Sequence, residues 1–191
     1  METIVRDEIE TTGQDAAVTR LCRSTVLAVV YNDYHPDRVV FVDCSFFSSL
    51  KGGGYNPHGG DSEGCMTRMC RQRLVLCRVL QCVVRGLRAL RGDMIGAFRP
   101  TPPIALVFWC PFGYRRSVAV STGWCWLAHQ MRWRVSQRVS HLSANTWNPN
   151  HCQGECGECG ADPAGLAYAC LIHFVEAWDE AVECQHRRIF R

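Results

Sequence analysis

Short apolar runs alternate with longer amphipathic patterns along most of this 191-residue chain. Runs rich in β-branched residues, and one stretch of alternating apolar positions, predict strands over 24–34, 38–44, 102–110 and 134–143. Apolar positions that recur every three or four residues predict helices over 63–91, 117–131 and 164–188. Strands that alternate with helices are typical of a mostly parallel sheet. We therefore predict one three-layer α/β domain over 23–191, with about four strands, after a polar N-terminal tail over 1–22.

Composition places the chain among folded globular proteins. Hydrophobic residues make up 47% and charged residues 20%, which is far from the composition of disordered chains. The acidic, polar N-terminus lacks the basic and apolar regions of a secretory signal. The longest apolar stretch, 104–109, is much shorter than the roughly 18 residues that a membrane span needs. We therefore expect a cytoplasmic protein without a membrane partner, and a net charge of +3 does not by itself indicate nucleic acid binding.

The segment CPFGYRRS, residues 110–117, joins a predicted strand to a predicted helix. A loop in this place aims backbone N–H groups at an anion, and the helix dipole adds to the attraction. Gly113 allows the chain to turn tightly, and the guanidinium of Arg116 can donate two hydrogen bonds to one phosphate. Helix N-termini and neighbouring arginines also stabilise a thiolate at Cys110. The segment therefore predicts either a phosphate-binding loop or a site with a cysteine nucleophile.

The spacing C-x-x-G-x-x-R-S is similar to the signature loop of cysteine-dependent phosphatases. It is formed here by Cys110, Gly113, Arg116 and Ser117. The resemblance implies that Cys110 attacks phosphorus, that Arg116 holds the phosphate oxygens and that Ser117 helps the thiolate to leave. Such an enzyme also needs a general acid, for which Asp61 and Asp93 are the candidates.

Residues 25 to about 143 resemble the C-terminal domain of the RNase adapter RapZ in the order of their predicted elements. The loop of that family has a cysteine, a glycine and an Arg-Ser-Val end, matched here by Cys110, Gly113, Arg116, Ser117 and Val118. Arg115 stands where the family carries a histidine. Asp43 matches an aspartate after the second strand, and Ser45 takes the place of an arginine. Gly60 resembles the glycine of a further loop, and His141 resembles the histidine of the last strand.

The resemblance implies an α/β fold with an anion pocket, because the family domain binds an amino-sugar phosphate and small regulatory RNA and is not known as a phosphatase. We therefore predict that the chain binds a phosphorylated small molecule, a phosphosugar or a nucleotide, without catalysis. A cysteine-dependent phosphatase that uses Cys110, Arg116 and Asp61 is the alternative. The predicted ligand-binding residues are Asp43, Cys110, Gly113, Tyr114, Arg115, Arg116, Ser117 and His141.

One face of the predicted helix 63–91 carries a stripe of polar side chains, Arg71, Arg78, Gln81, Arg85 and Arg88. Such a stripe is typical of a solvated helix face opposite an apolar one. A second alternative function, an adapter that binds RNA or an acidic protein, would use this arginine stripe.

Closely spaced cysteines in the loop 145–163 favour a structural zinc site, which needs four ligands. The predicted ligands are His151, Cys152, Cys156 and Cys159. His141, Cys170 or His173 can replace His151 as the fourth ligand, because adjacent residues rarely both bind one ion. Free thiols and a disulfide stay open as alternatives. Most of the remaining cysteines, among 13 in all, lie in apolar surroundings and are predicted to be small buried residues.

Overall fold

The computed structural model describes residues 38–48, 59–60, 62–92, 104–111, 115–133 and 163–189. These residues form two strands and four helices, in an alternating order that mixes helix and strand. In chain order the elements are β1 (Arg38–Asp43), α1 (Glu63–Cys70), α2 (Arg73–Gly92), β2 (Ile104–Trp109), α3 (Arg116–Gln130) and α4 (Pro163–Ile189). The predicted strands over 24–34 and 134–143 and the predicted tail over 1–22 lie outside the described residues.

The two strands pair in parallel, and the chain passes through α1 and α2 between them. Both are short runs of β-branched and aromatic residues, as the apolar pattern predicts. The register sets Val42 of β1 beside Phe108 of β2 and Asp43 beside Trp109. Because side chains alternate along a strand, Val40, Val42 and Phe108 project from the same face of the sheet.

The described helices cover this face. Helix α2 approaches β1 so closely that a Cβ atom on Gly86 would lie 2.4 Å from Cγ1 of Val40. Helix α3 reaches β2 through Trp124, whose ring centroid lies 6.4 Å from that of Phe108. Helix α4 packs on both α2 and α3. The core therefore lies between the sheet and this set of helices.

Helix α4 confirms the predicted helix over 164–188. The periodicity of this segment predicts one buried side, formed by Leu166, Cys170, His173, Phe174, Ala177 and Ala181. Cys170, Phe174, Ala177 and Ala181 are buried as part of the core. His173, which the pattern places on the same side, is exposed. Among the described residues, no helix is both long enough and apolar enough to cross a membrane.

The predicted single helix over 63–91 is wrong, because the structure divides it into α1 and α2 at Arg71 and Gln72. The N–H of Gln72 donates to the carbonyl of Met69 at 2.9 Å, and α2 starts anew from the carbonyl of Gln72. The side-chain carbonyl of Gln72 accepts a hydrogen bond of 2.8 Å from the N–H of Ser48, 24 residues earlier. A tertiary contact therefore accompanies the break, and no glycine or proline marks it in the sequence.

Candidate functional site

The carboxyl ends of β1 and β2 meet at one edge of the sheet. The N–H of Cys44 donates to the carbonyl of Trp109 at 2.8 Å, so the parallel pairing continues one residue beyond β1. The first turn of α3 follows β2 after a short loop. We call this place the strand-edge site, and its described residues are Asp43, Cys44, Ser45, Cys110, Arg115, Arg116 and Ser117. Ligands of parallel α/β sheets bind at such carboxyl edges.

Asp43 closes a tight turn at the end of β1. One of its carboxylate oxygens, Oδ1, accepts hydrogen bonds from the N–H of Ser45 at 2.7 Å and from the Ser45 hydroxyl at 2.6 Å. Aspartate commonly stabilises a turn in this way, by accepting from the backbone two residues on. The side chain of Ser45, the residue that the resemblance places at an arginine of the RapZ family, belongs to this turn.

Cys110 and Ser117 bring the two ends of the loop together. The Sγ of Cys110 lies 3.3 Å from the Oγ of Ser117, and either atom can be the donor. Only 5% of Cys110 and 6% of Ser117 is exposed. A hydroxyl at this distance can donate to a thiolate and stabilise it, which is the role that the phosphatase resemblance implies for Ser117.

Cys44 is a second thiol at the site, where the apolar sequence pattern predicts only a small buried residue. Burial raises the pKa of the Cys44 thiol well above its ordinary value, and the neighbouring Cys110 and Asp43 raise it further. Its Sγ also lies 3.7 Å from the carbonyl oxygen of Val42. Cys44 is therefore a neutral thiol at physiological pH. The pairing of the two strands places it beside Cys110, and a pattern within one strand does not show this.

Arg116 connects α3 to the turn after β1. Its Nη1 donates to the carbonyl of Ser45 at 2.7 Å and to the carbonyl of Phe47 at 3.2 Å. These bonds account for the two protons of Nη1, while Nε and Nη2 of a guanidinium carry three further N–H groups. The predicted phosphate clamp therefore lies at the strand-edge site and also holds its two halves together.

Arg115 precedes α3 and is buried, with 8% of its surface exposed. Within the described part of the chain it does not cap the helix with its side chain, and its carbonyl accepts the first helical hydrogen bond, from Ala119 N–H at 2.8 Å. The first N–H groups of a helix have no partner inside it. The structure places these donors and a buried guanidinium at the same end of α3.

Gly60 lies against the first turn of α3. A Cβ atom on Gly60 would lie 2.0 Å from the carbonyl oxygen of Arg115, 2.6 Å from the Ala119 nitrogen and 2.8 Å from Cβ of Val118. Only a residue without Cβ can come this close to a helix backbone. The resemblance to the RapZ family points to Gly60, and its contact with α3 gives the glycine a physical role.

Several predicted site residues lie outside the described residues. For the ligand site these are Asp61, Asp93, Gly113, Tyr114 and His141, and for the zinc site they are His151, Cys152, Cys156 and Cys159. Two alternative zinc ligands are described: Cys170 is buried and hydrogen-bonded to the thiol of Cys70, and His173 is exposed. Among the described residues, no group of three or more side chains is placed to hold a metal ion.

Four members of the arginine stripe, Arg78, Gln81, Arg85 and Arg88, lie on α2, and Arg71 lies at the break before it. Three of these arginines contact the protein itself. The guanidinium of Arg78 stacks over the ring of Phe46, 4.8 Å from its centroid. Arg85 donates to the Cys82 sulfur at 3.0 Å, and Arg88 lies 3.0 Å from Nε2 of His186. The predicted orientation of the helix is confirmed, since the apolar residues opposite the stripe are in the core.

Comparison of the chain with protein-family models, with curated proteins and with solved structures finds no match. The function of the strand-edge site must therefore be inferred from its geometry and from the resemblance of its loop.

Proposed function

We propose that the strand-edge site binds the phosphate group of a small molecule, a phosphosugar or a nucleotide, without catalysing a reaction. The observation that carries the proposal is the position of Arg116, where the C-x5-R segment leads into a 15-residue helix. The N-terminus of such a helix attracts an anion through its unpaired N–H groups and its dipole. Arg116 belongs to the same first turn, so the proposed site combines both kinds of donor.

Two contacts support a preorganised site. The bonds from Arg116 to the carbonyls of Ser45 and Phe47 restrict the guanidinium before any ligand arrives. The close approach of Gly60 to Arg115, Val118 and Ala119 restricts the same helix turn. A side chain that is already ordered loses less conformational entropy when it binds its ligand. The proposed binding therefore uses Arg116 as the clamp and the backbone of 111–117 as the cradle.

Titration calorimetry of the reduced chain tests this proposal, with inorganic phosphate, a hexosamine phosphate and the unphosphorylated hexosamine as ligands. We expect inorganic phosphate and the hexosamine phosphate to bind, and the unphosphorylated hexosamine not to bind. Arg116→Ala should weaken this binding by at least about tenfold, since hydrogen bonds to charged groups contribute about 1.5–3 kcal/mol. Arg187→Ala removes the same charge from an exposed position on α4 and should change nothing.

Cys110→Ser separates binding from catalysis. If the site only binds phosphate, this variant keeps its affinity, because the backbone and Arg116 supply the contacts. Circular dichroism of each variant shows whether the fold survives, which matters because Arg116 also anchors the turn after β1. Equal affinity of folded Arg116→Ala and the unchanged chain for phosphate would contradict the proposal.

A cysteine-dependent phosphatase is the second candidate, and the 3.3 Å contact between Cys110 and Ser117 favours it. In that reaction the Cys110 sulfur would take the phosphoryl group while Asp61 or Asp93 gives a proton to the departing oxygen, and water would then release phosphate. Turnover of an aryl phosphate that disappears in Cys110→Ser would establish this enzyme. Retained phosphosugar binding without turnover would exclude it.

A third candidate is an adapter that binds RNA or an acidic protein through the arginine stripe. It is favoured by the exposure of Arg78 and Arg85 on α2. Phosphate contacts make RNA binding steeply salt-dependent. RNA binding that is abolished by Arg78→Ala and Arg85→Ala, and kept by Arg116→Ala, would identify this surface rather than the strand-edge site.

We also infer the architecture around the site. The parallel pair of β1 and β2 supports a mostly parallel sheet of about four strands. Such a sheet, with helices on both faces, would be the three-layer domain that the alternating pattern predicts. The proposed domain acts in the cytoplasm.

A further inference from the structure

Cys44 and Cys110 occupy equivalent places at the ends of two paired strands. Asp43 is paired with Trp109, and Cys44 and Cys110 are the next residues of each chain segment. The bond from Cys44 N–H to the Trp109 carbonyl, 2.8 Å long, holds the segments together at this point. Neighbouring strands lie about 4.8 Å apart, which falls within the range of roughly 4.4–6.8 Å between the Cα atoms of a disulfide.

The two side chains also share one face and one environment. In parallel strands, directly opposed residues project to the same side, and both cysteines belong to the buried core. After burial, which is the largest cause, the neighbouring Cys110 raises the pKa of the Cys44 thiol more than Asp43 and Cys82 do. The thiols are therefore neighbours, and neither is bound in a disulfide.

We propose that Cys44 and Cys110 are a redox pair that forms a reversible disulfide when a hydroperoxide oxidises Cys110. Cys110 is the thiol that is oxidised first, because it lies at the base of the loop and is 5% exposed, whereas Cys44 is completely buried. The hydroxyl of Ser117 at 3.3 Å is placed to stabilise the sulfur of Cys110 as it reacts. Cys44 is the resolving thiol.

The atoms and electrons balance in two steps. The Cys110 sulfur attacks the peroxide O–O bond, gains one oxygen as a sulfenic acid and is oxidised by two electrons, while hydrogen peroxide is reduced and releases water. The Cys44 sulfur then attacks the Cys110 sulfur. The S–S bond forms as the S–O bond breaks, and the hydroxide leaves as water with the proton of Cys44. A dithiol returns both residues to thiols.

The other described thiols near Cys44 are less well placed. Cys82 lies on α2 and is half-buried, and Arg85 donates to its sulfur at 3.0 Å. No backbone hydrogen bond in the described structure sets its distance from Cys44, whereas the sheet sets the distance between Cys44 and Cys110. Cys70 and Cys170 form a separate buried pair between α1 and α4. A disulfide between Cys110 and one of these other thiols is the result that would compete with the Cys44–Cys110 disulfide in the experiment below.

Trypsin separates the two cysteines into peptides that each contain a single cysteine. Cleavage after arginine and lysine yields peptide 39–51, which contains Cys44, and peptide 92–115, which contains Cys110. The full reduced chain is treated with hydrogen peroxide, its remaining thiols are alkylated, and it is digested without reductant. We expect a linked pair of these two peptides in the mass spectrum, and its loss after dithiothreitol.

Two variants assign the roles. In Cys44→Ser the linked pair should be absent, and dimedone, which traps sulfenic acid, should label peptide 92–115. In Cys125→Ser, which removes a half-buried thiol from α3, the linked pair should form as in the unchanged chain. The linked peptides of the unchanged chain test the proposal even if Cys44→Ser does not fold. Recovery of Cys44 and Cys110 as alkylated thiols after peroxide, or linkage of Cys110 to a different cysteine, would overturn the proposal.

The pairing of the thiols does not depend on the proposed function. The linked peptides are detected without any ligand, so their absence would leave phosphate binding by the reduced chain unaffected. Where both proposals hold, the disulfide should also lower the affinity of the strand-edge site for inorganic phosphate, because it fixes Cys110 to β1 at the base of the loop.

Discussion

Replacing Gly60 with alanine adds a single methyl group at the contact between the segment 59–60 and α3. Its Cβ would meet the Arg115 carbonyl oxygen at 2.0 Å and the Ala119 nitrogen at 2.6 Å. These two backbone atoms are joined by the first hydrogen bond of α3, of 2.8 Å. Neither atom can turn away as a flexible side chain does, so the segment or the helix must move.

The contact distances indicate how much stability the Gly60→Ala substitution should remove. An ordinary van der Waals contact begins near 3.4 Å, so the shortest of these contacts requires a displacement of more than 1 Å. Extra methyl groups in well-packed places destabilise proteins by about 1–3 kcal/mol. For a chain of this size each kcal/mol lowers the melting temperature by about 2–4 °C. We therefore expect Gly60→Ala to lower the free energy of unfolding by about 2 kcal/mol, and to weaken phosphate binding at the strand-edge site.

Gly64→Ala is the control, because it makes the same change four residues later in α1. There the new Cβ would meet only the guanidinium end of Arg68, at 3.1 Å or more. Alanine at a compatible position stabilises by about 0.4–1 kcal/mol, so the two variants should differ in sign. Urea unfolding followed by the fluorescence of the buried Trp124 and Trp178 measures both. A Gly60→Ala chain as stable as the unchanged one would refute the reasoning.

Three further predictions concern other parts of the molecule. Since the pKa of the Cys44 thiol is raised in the folded state, the native chain holds a proton that the unfolded chain loses near pH 9.0. The free energy of unfolding should therefore fall as the pH rises above about 9. Cys44→Ala should reduce that fall, measured by urea unfolding at several pH values. An unchanged slope in the variant would contradict this. Gly123→Ala would place a Cβ 2.2 Å from the fully buried ring of Phe174. Thermal unfolding should therefore show a free energy of unfolding lower by about 1–3 kcal/mol. An unaltered melting temperature would rule out this close contact. Metal analysis of the purified full chain should find about one zinc ion, removed by Cys156→Ser, because a structural site needs four ligands; a metal-free chain would end the zinc proposal.

Local sequence patterns were sufficient to predict the strands and helices around the strand-edge site. The apolar runs of β1 and β2 and the periodic patterns of α3 and α4 were predicted within one or two residues of their observed ends. The same patterns placed the Cys110 to Ser117 segment between a strand and a helix. Such predictions succeed because neighbouring residues along one element share its hydrogen bonding and its buried face.

The wrong predictions concern places where a contact joins distant parts of the chain. The break at Gln72 accompanies a bond to Ser48, and His173 is exposed because packing of α4 on α2 and α3, rather than its own periodicity, selects the buried residues. Neither feature has a local signal.

Sequence patterns thus predicted β1, β2, α3 and α4 and the loop that carries Cys110 and Arg116. The fold added the arrangement of those groups: Arg116 bound to the turn after β1, Gly60 against α3, and Cys44 beside Cys110. The physical reason is that the register of two parallel strands is set by their packing against the core and by contacts between residues far apart in the chain, such as the hydrogen bond from Cys44 N–H to the Trp109 carbonyl. A chain read residue by residue contains both cysteines, but only the paired strands make them neighbours.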